Sequence, residues 1–227
     1  MNTAPYSLEE LIEKNNEELY KYVSEKKKIL LNTNAKGWSE ETTDGCVIIG
    51  CSPTDHPQAS FAHELLHAKL KIMGMKDPLI LGGEGLKYPQ QLERYLYNQL
   101  AHHKMHKEFI SMGYMDVEFL HDDDTEENAR QLERDIAELE KKYLAEKNML
   151  QGGLQVGIPY LASTCPHDKS DKPIIMRLRD ISESKILKEI DKLLEEWRES
   201  GEYSPCHTMK RFCEICGVYD IEFLPTK

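Results

Sequence analysis

His63-Glu64-Leu65-Leu66-His67 is the segment whose residue types and spacing could do chemistry. Residues four apart on an α-helix differ by only about 40° in direction, so the two imidazoles would project from one face. Together they can bind one divalent metal ion. The carboxylate of Glu64, beside the first histidine, can take a proton from water on that ion without being a ligand itself. The chemistry requires this stretch to be helical. Phe61, Leu65, Leu66 and Leu70 supply an apolar face, Asp55 and Pro57 punctuate the start, and Gly74 marks the end. A short, apolar, β-branched run, Cys46 to Cys51, comes before it and reads as a buried or edge strand.

A catalytic zinc ion usually has three protein ligands and one open position, so a third ligand is required. The extended pattern HExxHxxGxxH is absent, because Leu70 and Met73 stand where its glycine and third histidine would be. The next helix, expected from Tyr88-Pro89 to Gly113, offers Glu93, Asn98, His102, His103 and His106. His102, with Asn98 one turn earlier to orient a neighbour, is the leading candidate, and Glu93 is the alternative. Tyr95, Tyr97 and Tyr114 are nearby hydroxyl donors for a developing oxyanion, with nothing to select one.

On these residues, over about positions 44–113, the chain resembles the zincin superfamily of HExxH metallopeptidases. It looks gluzincin-like, or like a related family of uncharacterised bacterial HExxH proteins, and not like a metzincin. The resemblance implies that Cys46–Cys51 is an edge strand holding the substrate backbone. It also implies that a second helix supplies a glutamate ligand with an acidic residue one turn later, and Tyr97 departs from that pattern after Glu93. The implied activity is zinc-dependent hydrolysis of a peptide or protein substrate. Zn2+ would be the cofactor, and Glu64 would serve as general base and then as proton donor to the leaving amine. Two other readings stay open: a catalytically inactive zincin-like regulatory or protein-interaction module, and a hydrolase of a non-peptide amide.

Composition narrows the partners. The 227 residues are enough to bury a core, and 40 acidic against 29 basic side chains give a formal charge of −11. That charge repels phosphate backbones and anionic membrane surfaces, so neither nucleic acid nor a membrane is an expected ligand. Met1–Leu11 does not read as a secretory signal, and no apolar run approaches the roughly 20 residues of a membrane span. With six cysteines and no export signal, reduced thiols or metal ligands in a cytoplasmic setting are expected.

Around this centre the sequence predicts an α+β, mainly α architecture: a zincin-like minimal core with a helical carboxy-terminal extension. The divisions are a metal-binding domain at 1–121, a long charged helix at 122–152 and a carboxy-terminal lobe at 153–227. Ser7 and Glu10 form a capping-box pattern opening an amphipathic helix that runs towards Ile29. Leu132, Ile136, Leu139 and Tyr143 follow a 4-3-4 seam, which makes the 126–150 helix a candidate docking surface for a protein partner; a solvated helix packed on its own domain is the competing and commoner reading. A strand is expected around Val156, a helix from about Ser182 to Gly201, and a strand from Val218 to Phe223. Cys206, Cys213 and Cys216, with Cys165 or His167 as remote ligands, are candidates for a second, structural metal site; buried thiols are the competing reading.

Overall fold

The computed structural model describes residues 6–32, 34–83, 86, 89–119, 134, 137, 138, 140, 141, 153–164, 171–181 and 184–226. It is α+β and mainly helical, and two compact units make it up: 1–74 with 105–126, and 75–104 with 127–227. The segment 75–104, which the sequence places with the amino-terminal domain, groups instead with the carboxy-terminal half. No helix among the described residues is long and apolar enough to cross a membrane.

In the first unit, β1 (Lys28–Asn32) and β2 (Ser39–Thr42) flank β3 (Cys46–Gly50) in the order β1-β3-β2. β1 runs parallel to β3 with Ile29 opposite Val47, and β2 runs antiparallel with Glu40 opposite Ile49. Val47 and Ile49 point to one face and are fully buried, which explains the apolar, β-branched character of the run. β3 is therefore central. The edge position implied by the zincin resemblance is not met, because both sides of β3 are already hydrogen-bonded. At its end Gly50 permits a close approach: a Cβ there would lie 2.5 Å from Ser39 Oγ and 2.8 Å from Ala35 Cβ.

The expected single helix from Ser7 towards Ile29 is instead α1 (Leu8–Leu11), α2 (Glu17–Ser24) and the strand β1. The Ser7–Glu10 capping box is present. The break has a local cause in Asn16, whose buried amide donates to Leu11 O (3.0 Å) and accepts from Glu13 N (2.9 Å). An asparagine that satisfies backbone groups through its own side chain competes with helix continuation. α3 (Pro57–Ile72) starts with proline in its first turn and is followed by Gly74 at φ +109°. Its start is held by Asn16 and Tyr114, which both donate to Gln58 O.

α4 (Pro89–Ser111) ends before Gly113, at φ +99°, a conformation that disfavours any residue with a Cβ. The division between the units falls between Lys104 and Met105, inside this continuous helix. From Met105 onward it belongs with α3, to which Lys69 Nζ ties it by donating to Glu108 Oε1 at 2.6 Å.

In the second unit, β4 (Leu79–Gly82) pairs antiparallel with β5 (Ile221–Leu224). Its described helices include α5 (Leu154–Thr164), α6 (Asp171–Ile181), α7 (Ser184–Glu199) and α8 (Cys206–Ile215). The strand expected at Val156 is the helix α5. Val156, Gly157, Tyr160 and Leu161 are all buried, a helical repeat that a short apolar run does not distinguish from a strand. α7 lies within the expected helix, with Leu187, Ile190, Leu193, Leu194 and Trp197 buried. The Trp197 indole donates to Leu100 O at 2.8 Å. Lys104 Nζ donates to Trp197 O and Ser200 O, so a cation sits where the last carbonyls of α7 point. The 126–150 helix and its seam lie outside the described residues, apart from Arg134, Ala137, Glu138, Glu140 and Lys141, which are helical.

Candidate metal centre

His63, Glu64 and His67 lie on consecutive turns of α3, as the chemistry requires. His63 and Glu64 are buried, at 3% and 4% exposure, and His67 is partly open to solvent. The two Nε2 atoms are 3.1 Å apart. His102 on α4 joins them: one ligand atom from each of His63, His67 and His102 lies within 4.8 Å of the other two. This buried group could hold a metal ion. The spacing of the α3 pair suits one, because tetrahedral coordination at about 2.0–2.1 Å puts neighbouring ligand nitrogens roughly 3.3 Å apart.

Glu64 also acts on its surroundings. The Cys51 thiol, just beyond β3, is pushed up to about 12 by burial and secondarily by the charge of Glu64. Cys51 is not part of the histidine group.

The other polar residues of α4 are placed elsewhere. Glu93 stands nine positions before His102, about 13 Å along the axis, and is not part of the histidine group. Burial raises its carboxyl above the usual range, with Asp77 adding repulsion. Asn98 is exposed. His103 is buried with Nδ1 3.3 Å from Arg198 Nη1, and His106 Nε2 lies 2.7 Å from Asp116 Oδ1. The three tyrosines each donate to a backbone carbonyl: Tyr95 to Ile158 (3.3 Å), Tyr97 to Met75 (2.8 Å) and Tyr114 to Gln58 (3.4 Å). Their hydroxyls are committed to structure.

The carboxy-terminal cysteines are arranged differently. Cys213 and Cys216 are buried and Cys206 is partly exposed, all as free thiols. Burial pushes Cys213 and Cys216 up to about 12. Cys216 Sγ packs against the Cα of Gly157, where a Cβ would collide with it. Among the described residues no metal-binding group includes Cys206, Cys213 or Cys216; Cys165 and His167 lie outside those residues.

One feature of the site had no signal in the sequence. After Gly113 the chain turns back so that Phe119, fully buried, lies against His63 with ring centroids 4.7 Å apart. Nothing about an isolated phenylalanine beyond a helix end marks it as a neighbour of a residue 56 positions earlier. No family model matches the chain, and comparison with curated proteins and with solved structures finds no significant match.

Proposed function

We propose that the chain is a zinc-dependent hydrolase of the metallopeptidase type, with His63, His67 and His102 as ligands and Glu64 as the proton-transfer group. The observation that carries this reading is the pair of α3 imidazoles, Nε2 atoms 3.1 Å apart, with a buried carboxylate at the adjoining position. Three imidazoles suit zinc among the common metals, and a set of three protein ligands leaves one position open. Bound zinc would supply a Lewis acid that acidifies water and polarises a carbonyl.

The protein's own residues do the rest. α3, anchored through Phe61, Leu65 and Leu66 in the core, fixes the directions of both imidazoles. Glu64 accepts the proton of the attacking water and releases it to the leaving amine. Glu64 is itself buried, at 4% exposure, which strengthens charge interactions around its carboxylate. With β3 paired on both sides, β2 is the strand beside α3 that keeps an edge for an extended peptide; Glu40 on it pairs with Lys71, one turn after His67. The strongly acidic chain favours basic substrates.

Metal content per chain tests the reading, measured by elemental analysis after mild dialysis. One zinc per wild-type chain, lost in His67→Ala and kept in Cys213→Ser, supports it and calls for a peptidase screen. Zinc that survives His67→Ala and disappears in Cys213→Ser overturns it. A zinc site without any hydrolysis that Glu64→Gln abolishes leaves the regulatory or interaction module as the better account.

A further inference from the structure

The turn that follows α4 is tied down twice. Asp116 Oδ1 lies 2.7 Å from His106 Nε2, and Glu118 Oε1 lies 3.2 Å from Nδ1 of His56, the residue before α3. Glu118 also closes its own turn, accepting from Met115 N at 2.7 Å. The two carboxylates therefore fasten one short 3-10 segment, Asp116–Glu118, to α4 on one side and to the start of α3 on the other.

Directly after the second tie, Phe119 turns inward. Its ring lies 4.7 Å from His63, 4.9 Å edge-on from His106 and 5.1 Å edge-on from Phe109, while Phe109 in turn stands 6.4 Å from His63 and stacks on Tyr114 at 4.9 Å. One flank of the His63 imidazole is thus walled by aromatic rings, each held by a backbone element or a carboxylate tie. The exposed Met115 and Val117 of the same segment face solvent, so the inward position of Phe119 does not follow from burying every apolar residue of the turn.

We propose that Phe119 is a positioning residue: fastened through Asp116–His106 and Glu118–His56, it fixes the rotamer of His63 and so presets the metal site before the ion arrives. This rests on the metal-centre reading above. The physical basis is general. An imidazole on a helix has two soft torsions, and the entropy of fixing them is lost on metal binding unless packing has already restricted them. Groups that orient a ligand without touching the ion typically contribute 10–100-fold in metal affinity.

The test compares wild type, Phe119→Ala and Asp116→Ala in two measurements. The first is cobalt(II) affinity by competition with a chromophoric chelator, with the cobalt absorption spectrum as a report on ligand geometry. The second is the side-chain rotamer of His63 in metal-free protein, read by NMR from three-bond couplings, which do not depend on the ring current of Phe119. Expected are a roughly tenfold loss of cobalt affinity in Phe119→Ala, a smaller loss in Asp116→Ala, and averaging of the His63 rotamer in both. Asp116 is more than half exposed, so its variant keeps the core intact if Phe119→Ala does not fold. Wild-type affinity, or a single wild-type His63 rotamer, in a folded variant overturns the proposal. If wild type itself takes up no metal, the metal-centre reading fails, and the metal-free NMR arm still reports whether Phe119 holds the His63 ring.

Discussion

Two helices carry metal-ligand residues at helical spacing, and the structure treats them in opposite ways. On α3 the pair His63 and His67 is met by a third donor from another helix, with a buried carboxylate alongside. On α8 and its C-cap Cys213 and Cys216 are both buried, Cys216 lies against Gly157, and burial pushes both thiols up to about 12. Both patterns satisfy the rule that ligands must share a helix face. What separates them is convergence: a metal site needs donors arriving from separate elements, whereas a packed thiol needs only a place in the core.

The sharpest way to break the contrast is at its catalytic end. Glu64→Gln should lower any hydrolysis by roughly 10²–10⁴-fold while zinc content is unchanged. His102→Ala should lose zinc on dialysis and Glu93→Ala should not; the reverse pattern would transfer the third ligand to Glu93. At the cysteine end, alkylation by iodoacetamide at pH 8, read by mass spectrometry, should be slower by about 10²-fold or more at Cys51, Cys213 and Cys216 than at Cys46 and Cys206. Rapid modification of Cys213 in the folded protein would make it a reactive thiolate and undo the packing account.

Packing itself is probed by Gly157→Ala, whose new methyl must displace Cys216 and Phe212. It should cost about 1–3 kcal/mol in chemical denaturation and leave zinc content intact. The smallest effect belongs to Glu93. Its folded pKa is raised by burial and by Asp77, so the acid is destabilising once ionised: the protonated form is favoured in the folded state, and stability falls as pH rises through the folded value. Glu93→Gln should therefore gain stability relative to wild type between acid and neutral pH, by under about 1 kcal/mol for this partly solvated group. A variant that loses stability relative to wild type as pH rises over that range would contradict the sign.

Much of α3 and α4 was legible because the signals were local and redundant. Pro57 and Gly74, and Pro89 and Gly113, bracket the two helices within a residue or two. The end of the first helix is not legible, because Asn16 stops it through a side-chain bond that composition does not announce. β2 is hidden for a different reason: Ser39-Glu40-Glu41-Thr42 has no apolar alternation, and becomes a strand only because β3 offers it an edge. The α5 run was ambiguous by period. At the site, the motif named His63, Glu64 and His67 outright and left His102 and Glu93 to compete. Phe119 and its two carboxylate ties arise wholly from how the chain turns after Gly113, a tertiary fact with no short-range pattern.

The polar makeup of β2 has a bearing on how the molecule behaves in company. An unpaired strand edge is a template for pairing with another chain, and charge along it is one of the ways proteins discourage this. Here Glu40 is neutralised by Lys71 while Glu41 stays exposed, on a chain whose formal charge is already −11. A second copy approaching that edge would bring its own Glu41 against this one, so like charge guards the sheet against self-association, and high salt would weaken the guard.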